Sequence, residues 1–234
     1  RKGFVNQMMG QIFEQFHQDQ KATSCLYPFK EAFYQRMGYV TLPQTKRIQF
    51  APQCLQPLVK MDLDITFDLV TFYEGYEDFR GFCQHIQRTK HGMSLFSIPH
   101  KEAAKNHEAW LVFARQDGST IGAMNYTLKD QILNQTLHAY DFLFSNARGR
   151  FALLNWISRH IDQAGKIVLT VPPDQNGENF YTDLRPEYQG LFVAPMGRVI
   201  SIHALNGLPV GEGQITIQLV DPNCEWNNGI WQII

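Results

Sequence analysis

Apolar and polar positions in the first 39 residues predict a helix, a short strand and a second helix. In residues 4–18, apolar side chains recur three and four positions apart, which is the spacing of one buried helix face. Residues 22–26 are uncharged and end two positions before a proline, as a short buried strand would. Apolar residues then fall four apart between residues 29 and 37, and Gly38 stands where a helix would stop.

Strand signals and proline breaks organise the next part of the chain. Alternation in residues 47–50 predicts a strand. Pro52 and Pro57 mark a linker, at which we place a domain boundary. Residues 68–88 are rich in aromatic side chains and are predicted to form a long helical region.

Strand and helix patterns alternate in the rest of the chain. Residues 109–128 predict a β-hairpin around a glycine-containing turn, and residues 135–144 predict a further strand. Residues 148–171 predict a helix followed by a strand, which repeats the order of glycine, helix, strand and proline at the start of the chain. Two similar units at this distance indicate a duplicated domain rather than a solenoid. Residues 197–234 predict three short strands.

Composition narrows the classes of function. The chain has 21 Lys and Arg against 22 Asp and Glu, a formal net charge of −1, so bulk electrostatics give no support for binding nucleic acid. Its four cysteines lie far apart without a C-x-x-C pair, and we expect reduced thiols in a cytoplasmic protein. No apolar run approaches the roughly 18–20 residues that a membrane helix requires. The histidines show no H-x-x-x-H spacing, so no metal site is predicted.

A cationic pair followed by a glycine opens the first predicted helix. Arg1 and Lys2 oppose the helix macrodipole, which favours anions at a helix N-terminus. A bound anion would resolve this conflict, because the free N–H groups of the first turn and both side chains would point at it. Gly3 would let the backbone approach a diphosphate without an intervening Cβ. A solvated chain start is the alternative, and spacing alone leaves both open.

Tyr34 lies on the second predicted helix. A phenol, with an ordinary pKa of about 10, carries a proton at neutral pH and can donate it to a leaving group. The alternative is an aromatic packing residue beside Phe33. One tyrosine among nine does not decide between these two roles.

The sequence of residues 22–39, ATSCLYPFKEAFYQRMGY, resembles the second half of a GNAT N-acetyltransferase domain, and in particular the Eis-like (enhanced intracellular survival) branch of that family. GNAT proteins hold the pyrophosphate of acetyl-CoA with a loop of pattern Gln/Arg-x-x-Gly-x-Gly/Ala. The matching positions here are Arg1 and Lys2 at variable positions, Gly3 at the first glycine, Phe4 at the third variable position and Val5 where a small residue is usual.

The resemblance also implies roles and partners. Tyr34 matches the family's tyrosine and would be the general acid toward the CoA thiolate, while Phe29 and Lys30 match positions that contact CoA. Acetyl-CoA would be the co-substrate, without a metal, and a primary amine of the aminoglycoside, polyamine or lysine type the acceptor. The general base in Eis-like enzymes is thought to be the C-terminal carboxylate, a role that we do not assign to Ile234. Glu31 is an open alternative for this role that nothing else in the sequence supports. A homo-oligomer such as a hexamer is implied as well.

The predicted fold class is α+β, a mixed α/β arrangement, in three pieces. Residues 1–52 would be the C-terminal half of a GNAT domain, residues 53–195 a central degenerate GNAT-like domain, and residues 196–234 the first strands of a sterol-carrier-like (SCP2-like) domain. Both ends of the chain are then expected to be cut from a longer protein. In the central piece the resemblance gives residues 148–150 a structural role, and Tyr181 would be the matching tyrosine if they instead formed a second CoA loop.

A rival hypothesis is a module built on duplicated GNAT-like units that binds CoA, a lipid or a protein without turnover. Tyr34 separates the two hypotheses. An enzyme would lose turnover in Tyr34→Phe while keeping its affinity for acetyl-CoA, whereas a binding module would be indifferent to the change.

Overall fold

The structure is a computed structural model that describes residues 3–88, 101–106, 108–129, 134–189, 194–208 and 211–234. Its α-helices are α1 (Phe4–Gln18), α2 (Glu31–Gln35), α3 (Tyr76–Gln87) and α4 (Ala147–Ser158). Its strands are β1 (Thr23–Leu26), β2 (Val40–Thr41), β3 (Lys46–Phe50), β4 (Thr66–Thr71), β5 (Trp110–Gln116), β6 (Ser119–Lys129), β7 (Gln135–Phe144), β8 (Ala164–Val171), β9 (Glu187–Gln189), β10 (Met196–Val199), β11 (Ile215–Leu219) and β12 (Gly229–Ile233). Short 3-10 helices cover Pro52–Leu58, Lys101–Asn106, Gly177–Asn179, His203–Leu205 and Glu225–Asn227.

The chain divides into two compact units. The smaller unit comprises Arg1–Pro43 and Phe192–Ile234, and the larger unit comprises Gln44–Leu191. The first and last of the three predicted pieces therefore contribute to one compact unit, and β3, which we placed in the first piece, belongs to the larger unit. The assignment of the pieces to GNAT and sterol-carrier domains stays a prediction.

A seven-stranded sheet in the order β4-β5-β6-β7-β8-β3-β9 forms the larger unit. Neighbouring strands are antiparallel except β7 and β8, which are parallel and joined through α4, as a crossover connection requires. Their pairing runs from Gln135 to Ala139 on β7, whereas β7 itself continues to Phe144. The last part of β7 thus leaves its parallel neighbour.

Both faces of this sheet are covered. Leu111 and Phe113 of β5 belong to an apolar cluster with α3, whereas Val112 and Ala114 belong to a cluster with α4. Successive residues of a strand point to opposite faces, so a strand buried on both faces reads as a continuous apolar run. The predicted hairpin of residues 109–128 is confirmed as β5 and β6, and its turn has the positive φ angles of a tight hairpin.

Residues 52–58 are not the linker that we predicted. They form a 3-10 helix that begins with Pro52 at its first turn, where the missing N–H costs nothing. Leu55 and Leu58 are fully buried, and the side-chain amide of Asn155 on α4 donates to the Leu58 carbonyl at 2.6 Å. The prolines therefore belong to a packed element within the larger unit, and the domain boundary placed here stays a prediction.

The long helical region predicted for residues 68–88 is also wrong in its first half. Residues 66–71 form β4, and α3 begins only at Tyr76. Gly75 makes the corner between them because a Cβ there would lie 2.7 Å from Val70 Cγ2 and 2.9 Å from Leu111 Cδ1. The aromatic residues that suggested one helix are thus shared between a strand end, a turn and a helix.

The smaller unit contains a three-stranded antiparallel sheet, in the order β1-β10-β2, and the hairpin of β11 and β12. The prediction for residues 4–18 is confirmed by α1. The strand predicted at residues 22–26 is present as β1. It lies at an edge of its sheet and alternates exposed and half-buried residues, so the prediction that it is buried is wrong. Helix α2 is shorter than predicted, since Lys30 before it has extended backbone.

Two global features bear on function. Among the described residues, no helix combines the length and the apolar character needed to cross a membrane. All four cysteines are free thiols, two of them buried.

Candidate functional site

Tyr34 lies in an aromatic surface at the corner between β1 and α2. Its ring is half-buried and stands edge-on to its neighbours, at centroid distances of 5.1 Å from Phe33, 5.5 Å from Phe29 and 5.8 Å from Tyr39. Edge-to-face pairs at such distances are favourable and orient the rings. The Tyr34 hydroxyl makes no hydrogen bond to any residue that the structure describes, so it is free to meet a ligand.

Tyr39, the nearest other phenol, is occupied. It is buried, and its hydroxyl lies 2.8 Å from Ser24 Oγ. Burial raises the pKa of Tyr39, with the Ser24 hydrogen bond acting in the opposite direction. Of these two tyrosines, Tyr34 is the one whose proton a ligand could reach.

The end of α2 fixes the backbone of Tyr34. The Tyr39 N–H donates to the Tyr34 carbonyl at 3.2 Å and the Gly38 N–H donates to the Gln35 carbonyl at 3.0 Å, which together form a Schellman motif. Gly38 supplies the left-handed conformation that this motif needs, with φ of 80°. The prediction that Gly38 ends the helix is therefore confirmed.

Phe29 and Lys30 share the surface of Tyr34. The Phe29 side chain is 77% exposed although its ring lies 5.2 Å from that of Phe33. Lys30 is exposed and precedes α2 with extended backbone. An exposed aromatic ring, a cation and a free phenol thus lie together on one short segment.

The N-terminus of α1 is open. Gly3 adopts a left-handed conformation, with φ of 68°, and no side chain among the described residues caps the first turn. The side chains of Phe4 and Val5 are 67% and 45% exposed. Arg1 and Lys2, the predicted cationic pair, lie outside the described residues. The first-turn N–H groups of a 15-residue helix without a side-chain cap are available to an anion.

The second glycine loop, residues 148–150, differs from the first. Asn146 caps α4, because its side-chain oxygen accepts from the Gly149 N–H at 2.9 Å. A Cβ at Gly149 would lie 2.0 Å from the Ile121 carbonyl oxygen, so this glycine serves close packing. The Arg148 guanidinium donates to the Leu63 carbonyl at 2.5 Å. These groups are engaged within the unit, which supports the structural role predicted for the loop.

The neighbourhood of Tyr181 is likewise filled by the chain itself. Phe180 is fully buried and stacks on Phe142 at a centroid distance of 5.7 Å. The Arg150 guanidinium lies within 6 Å of the Phe180 ring and of two further phenylalanine rings. Tyr181 packs half-buried against the same cluster.

Sequence reasoning did not assign a role to Arg198. Its guanidinium, with the side chain 2% exposed, pairs with the Asp221 carboxylate at 2.5 Å and donates to the Met37 carbonyl beside Tyr34. The sequence placed Arg198 in a predicted strand, but nothing in it linked that strand to α2.

Comparisons with known proteins bear on this geometry. Residues 1–42 match the family model described as Acetyltransferase (GNAT) domain. The GCN5-related N-acetyltransferase from Anabaena variabilis ATCC 29413 aligns over 99% of this chain and 60% of its own, with a TM-score of 0.78 and 13% identity. The chain has the GNAT fold. The GCN5-related N-acetyltransferase from Kribbella flavida gives a TM-score of 0.71 at 15% identity over 99% of this chain and 57% of its own.

Eis1 from Mycobacterium abscessus aligns over 100% of this chain and 62% of its own, with a TM-score of 0.72 and 16% identity. No curated protein matches the chain at a significant level. The chain spans about three fifths of the length of these structures. The mixed α/β fold class is thereby confirmed, while the sterol-carrier-like piece stays a prediction.

Proposed function

We propose that this protein transfers an acetyl group from acetyl-CoA to a primary amine. The observation that carries the proposal is the position of the family match, residues 1–42. It covers the uncapped N-terminus of α1 and the free Tyr34 hydroxyl, the two features that could serve a diphosphate and a leaving thiolate. The free backbone N–H groups at the start of α1 fit such a co-substrate. The corresponding groups of the second loop, residues 148–150, are engaged in capping and packing.

Binding of acetyl-CoA would divide between two places. The N–H groups near Gly3, Phe4 and Val5 would hold the diphosphate, with the Arg1 and Lys2 side chains adding positive charge. Phe29 and Lys30 would contact the rest of the molecule. The ring of Phe29 offers apolar surface and the Lys30 ammonium can neutralise a phosphate.

The reaction would be direct. The neutral amine attacks the thioester carbonyl, the C–N bond forms, and the C–S bond breaks as the tetrahedral intermediate collapses. Tyr34 donates its proton to the departing sulfur, so that CoA leaves as the thiol. The proton lost by the amine goes to a general base that we do not assign. Glu31, the stand-in considered from sequence, is exposed and accepts from the Thr41 hydroxyl at 3.2 Å.

The acceptor would be a polycationic amine such as an aminoglycoside, a polyamine or a lysine side chain, and the protein would act as a homo-oligomer. Both statements rest on the family resemblance of residues 22–39. The acceptor needs only one amine within reach of the Tyr34 surface, and this surface is open to solvent at Phe29 and Lys30.

The test is acetyl-CoA-dependent thiol release by the protein with a panel of aminoglycosides, polyamines and lysine peptides. Tyr34→Phe should lower kcat about 100-fold or more, because it removes the proton donor, and should leave the Kd for acetyl-CoA unchanged. Tyr27→Phe is the matched control: Tyr27 is 77% exposed near the same corner, and turnover should not change.

Two results would contradict the proposal. Full turnover in Tyr34→Phe would remove Tyr34 from the mechanism. Binding of acetyl-CoA without release for any amine would favour the alternative, a module that binds CoA, a lipid or a protein without turnover.

A further inference from the structure

Arg198 on β10 connects several separate segments of the smaller unit. Its guanidinium is buried, donates from Nε to the adjacent Val199 carbonyl at 3.2 Å, and makes four contacts with other segments. The partners are the Met37 carbonyl after α2, the Asp221 carboxylate at 2.5 Å, the Cys224 Sγ at 3.0 Å and the Phe13 ring of α1, whose centroid lies 4.3 Å from the guanidinium carbon. The planar guanidinium suits this arrangement because it presents donors in several fixed directions and a flat face for an aromatic ring.

Stability alone does not explain a charge at this place. A buried ion pair loses most of its electrostatic gain to desolvation, and apolar residues of similar volume often serve as well. An apolar side chain, however, could not donate to the Met37 carbonyl. The Schellman bonds of α2 use the Tyr34 and Gln35 carbonyls, and Arg198 satisfies the carbonyl of Met37, two residues after Gln35.

This contact acts on the segment that carries Tyr34. Helix α2 has only five residues, too few to be stable through its own hydrogen bonds. The Met37 N–H donates to the Tyr34 carbonyl at 2.8 Å, so the residue that Arg198 holds is itself bonded to Tyr34. Gly38 allows the approach: a Cβ there would lie 3.2 Å from the guanidinium Nη1.

We propose that Arg198, oriented by Asp221, is a positioning residue for Tyr34. By holding the Met37 carbonyl it fixes the end of α2 and therefore the direction of the Tyr34 phenol. Arg198 touches neither co-substrate nor acceptor in this role. The inference rests on the proposed acetyl transfer for its catalytic part, but the effect on Tyr34 itself is measurable without catalysis.

Arg198→Lys tests the proposal because it keeps the charge near Asp221 but places all donors on one nitrogen, whereas the guanidinium uses Nη1 for Met37 and Nη2 for Asp221. We expect kcat to fall about 10- to 100-fold, as for other small displacements of a catalytic group, and the KM for acetyl-CoA to change about twofold at most. In the Tyr34→Phe background the same substitution should lower kcat by no more than about twofold, since groups that act through one another are not additive.

Arg159→Lys is the matched control. Arg159 lies over the rings of Phe67 and Trp156 in the larger unit, 4.8 Å and 5.3 Å from their centroids, so it is also an arginine held against aromatic rings. Its substitution should leave kcat unchanged. If Arg198→Lys fails to fold by circular dichroism, Asp221→Asn, which keeps the shape of the partner, takes its place with the same expectations.

A second readout does not depend on turnover. With fluorotyrosine incorporated, the Tyr34 ¹⁹F resonance, assigned by its loss in Tyr34→Phe, should shift or broaden in Arg198→Lys, while the Tyr27 resonance stays in place. An unchanged Tyr34 resonance, or a loss of kcat of equal size in both Tyr34 backgrounds, would overturn the proposal. If the unmodified protein transfers no acetyl group, the proposed function fails, and the ¹⁹F shift alone decides whether Arg198 positions Tyr34.

Discussion

At the residue scale, Gly38 meets two independent demands. Its φ of 80° lies in the left-handed region that residues with a Cβ enter at a cost of about 1–2 kcal/mol. A Cβ would also press on the Arg198 guanidinium, 3.2 Å away. Because that guanidinium is buried and held by several partners, it has little room to withdraw.

Gly38→Ala should therefore destabilise the smaller unit by about 2 kcal/mol, the sum of the conformational cost and the crowding. Gly207→Ala separates the two effects. Gly207 lies in the same unit with φ of 83°, and a Cβ there would meet nothing within 4 Å, so only the conformational cost of about 1 kcal/mol applies. Urea unfolding of both variants gives the comparison, and equal losses would show that the Arg198 contact does not constrain Gly38.

Residues of the site differ in how far sequence could find them. Tyr34, Phe29 and Gly38 belong to one continuous stretch, where helical spacing and the family wording coincide. Arg198 was out of reach because its partner Met37 is 161 positions away, and a single arginine in a predicted strand carries no sign of burial. Whether Tyr34 acts in catalysis stays a prediction, since its position alone does not test its role.

At the element scale, periodicity located α1 and the hairpin of β5 and β6. The two strands of the hairpin are buried over most of their length, whereas α1 buries Phe13 in the middle of its apolar face and exposes its first turns. The prediction of a linker at residues 52–58 failed because we interpreted proline as a break. Pro52 instead opens a 3-10 helix whose two leucines lie three positions apart on the buried side. The prediction of a helix over residues 68–88 missed strand β4 because we gave more weight to the aromatic residues than to the short alternation in β4. Those aromatic residues belong to the following turn and to α3.

Strand β7 carries a histidine that makes stability depend on pH. His138 lies 4.2 Å from the Tyr140 ring, centroid to centroid, and burial, with a smaller contribution from Arg47, lowers its pKa from 6.5 to about 4. The protonated form is thus favoured in the unfolded chain. The stability that neutral His138 contributes is complete above about pH 6.5 and is lost as pH falls toward 4.

The free energy of unfolding should therefore fall between pH 7 and pH 5, with His138 accounting for about 1–2 kcal/mol once partial solvent exposure is allowed for. His138→Phe, which keeps a ring beside Tyr140, should reduce this fall. Part of the fall should remain in this variant because burial also lowers the pKa of His160. Urea unfolding at both pH values measures the difference. His85→Phe, at an exposed position of α3, should keep the full dependence; an equal fall in His138→Phe would contradict the assignment.

At the scale of the whole molecule, the order of the chain does not follow the order of its compact units. Strand β10 pairs with both β1 and β2 although about 170 residues separate it from β1 and about 155 from β2, and β3 pairs with β8 and β9. Such long-range pairing has no local signature, since a strand's own pattern indicates a buried face but not its neighbour. Sequence therefore gave a boundary at residues 52 and 53, whereas the larger unit begins at Gln44.

The two boundaries predict different behaviour for fragments. Residues 44–191 contain the whole seven-stranded sheet and both of its apolar clusters, so this fragment should fold alone and unfold in one cooperative transition. Residues 53–195, the predicted central domain, lack β3. Without β3 the fragment loses the buried side chains of Ile48 and Phe50, and burial of each contributes about 1.5–3 kcal/mol to stability. Strands β8 and β9 also lose the strand between them.

Thermal unfolding followed by circular dichroism, with the fluorescence of Trp110 and Trp156 as a second probe, distinguishes these cases. We expect a single coincident transition for residues 44–191 and either no transition or a Tm at least about 10 °C lower for residues 53–195, given a loss of several kcal/mol. Adding β3 back in residues 44–195 should restore the higher Tm, because the added residues complete the sheet on the far side of β8. Equal stability of the 53–195 and 44–195 fragments would mean that β3 is dispensable and that the sequence-derived boundary is the better description.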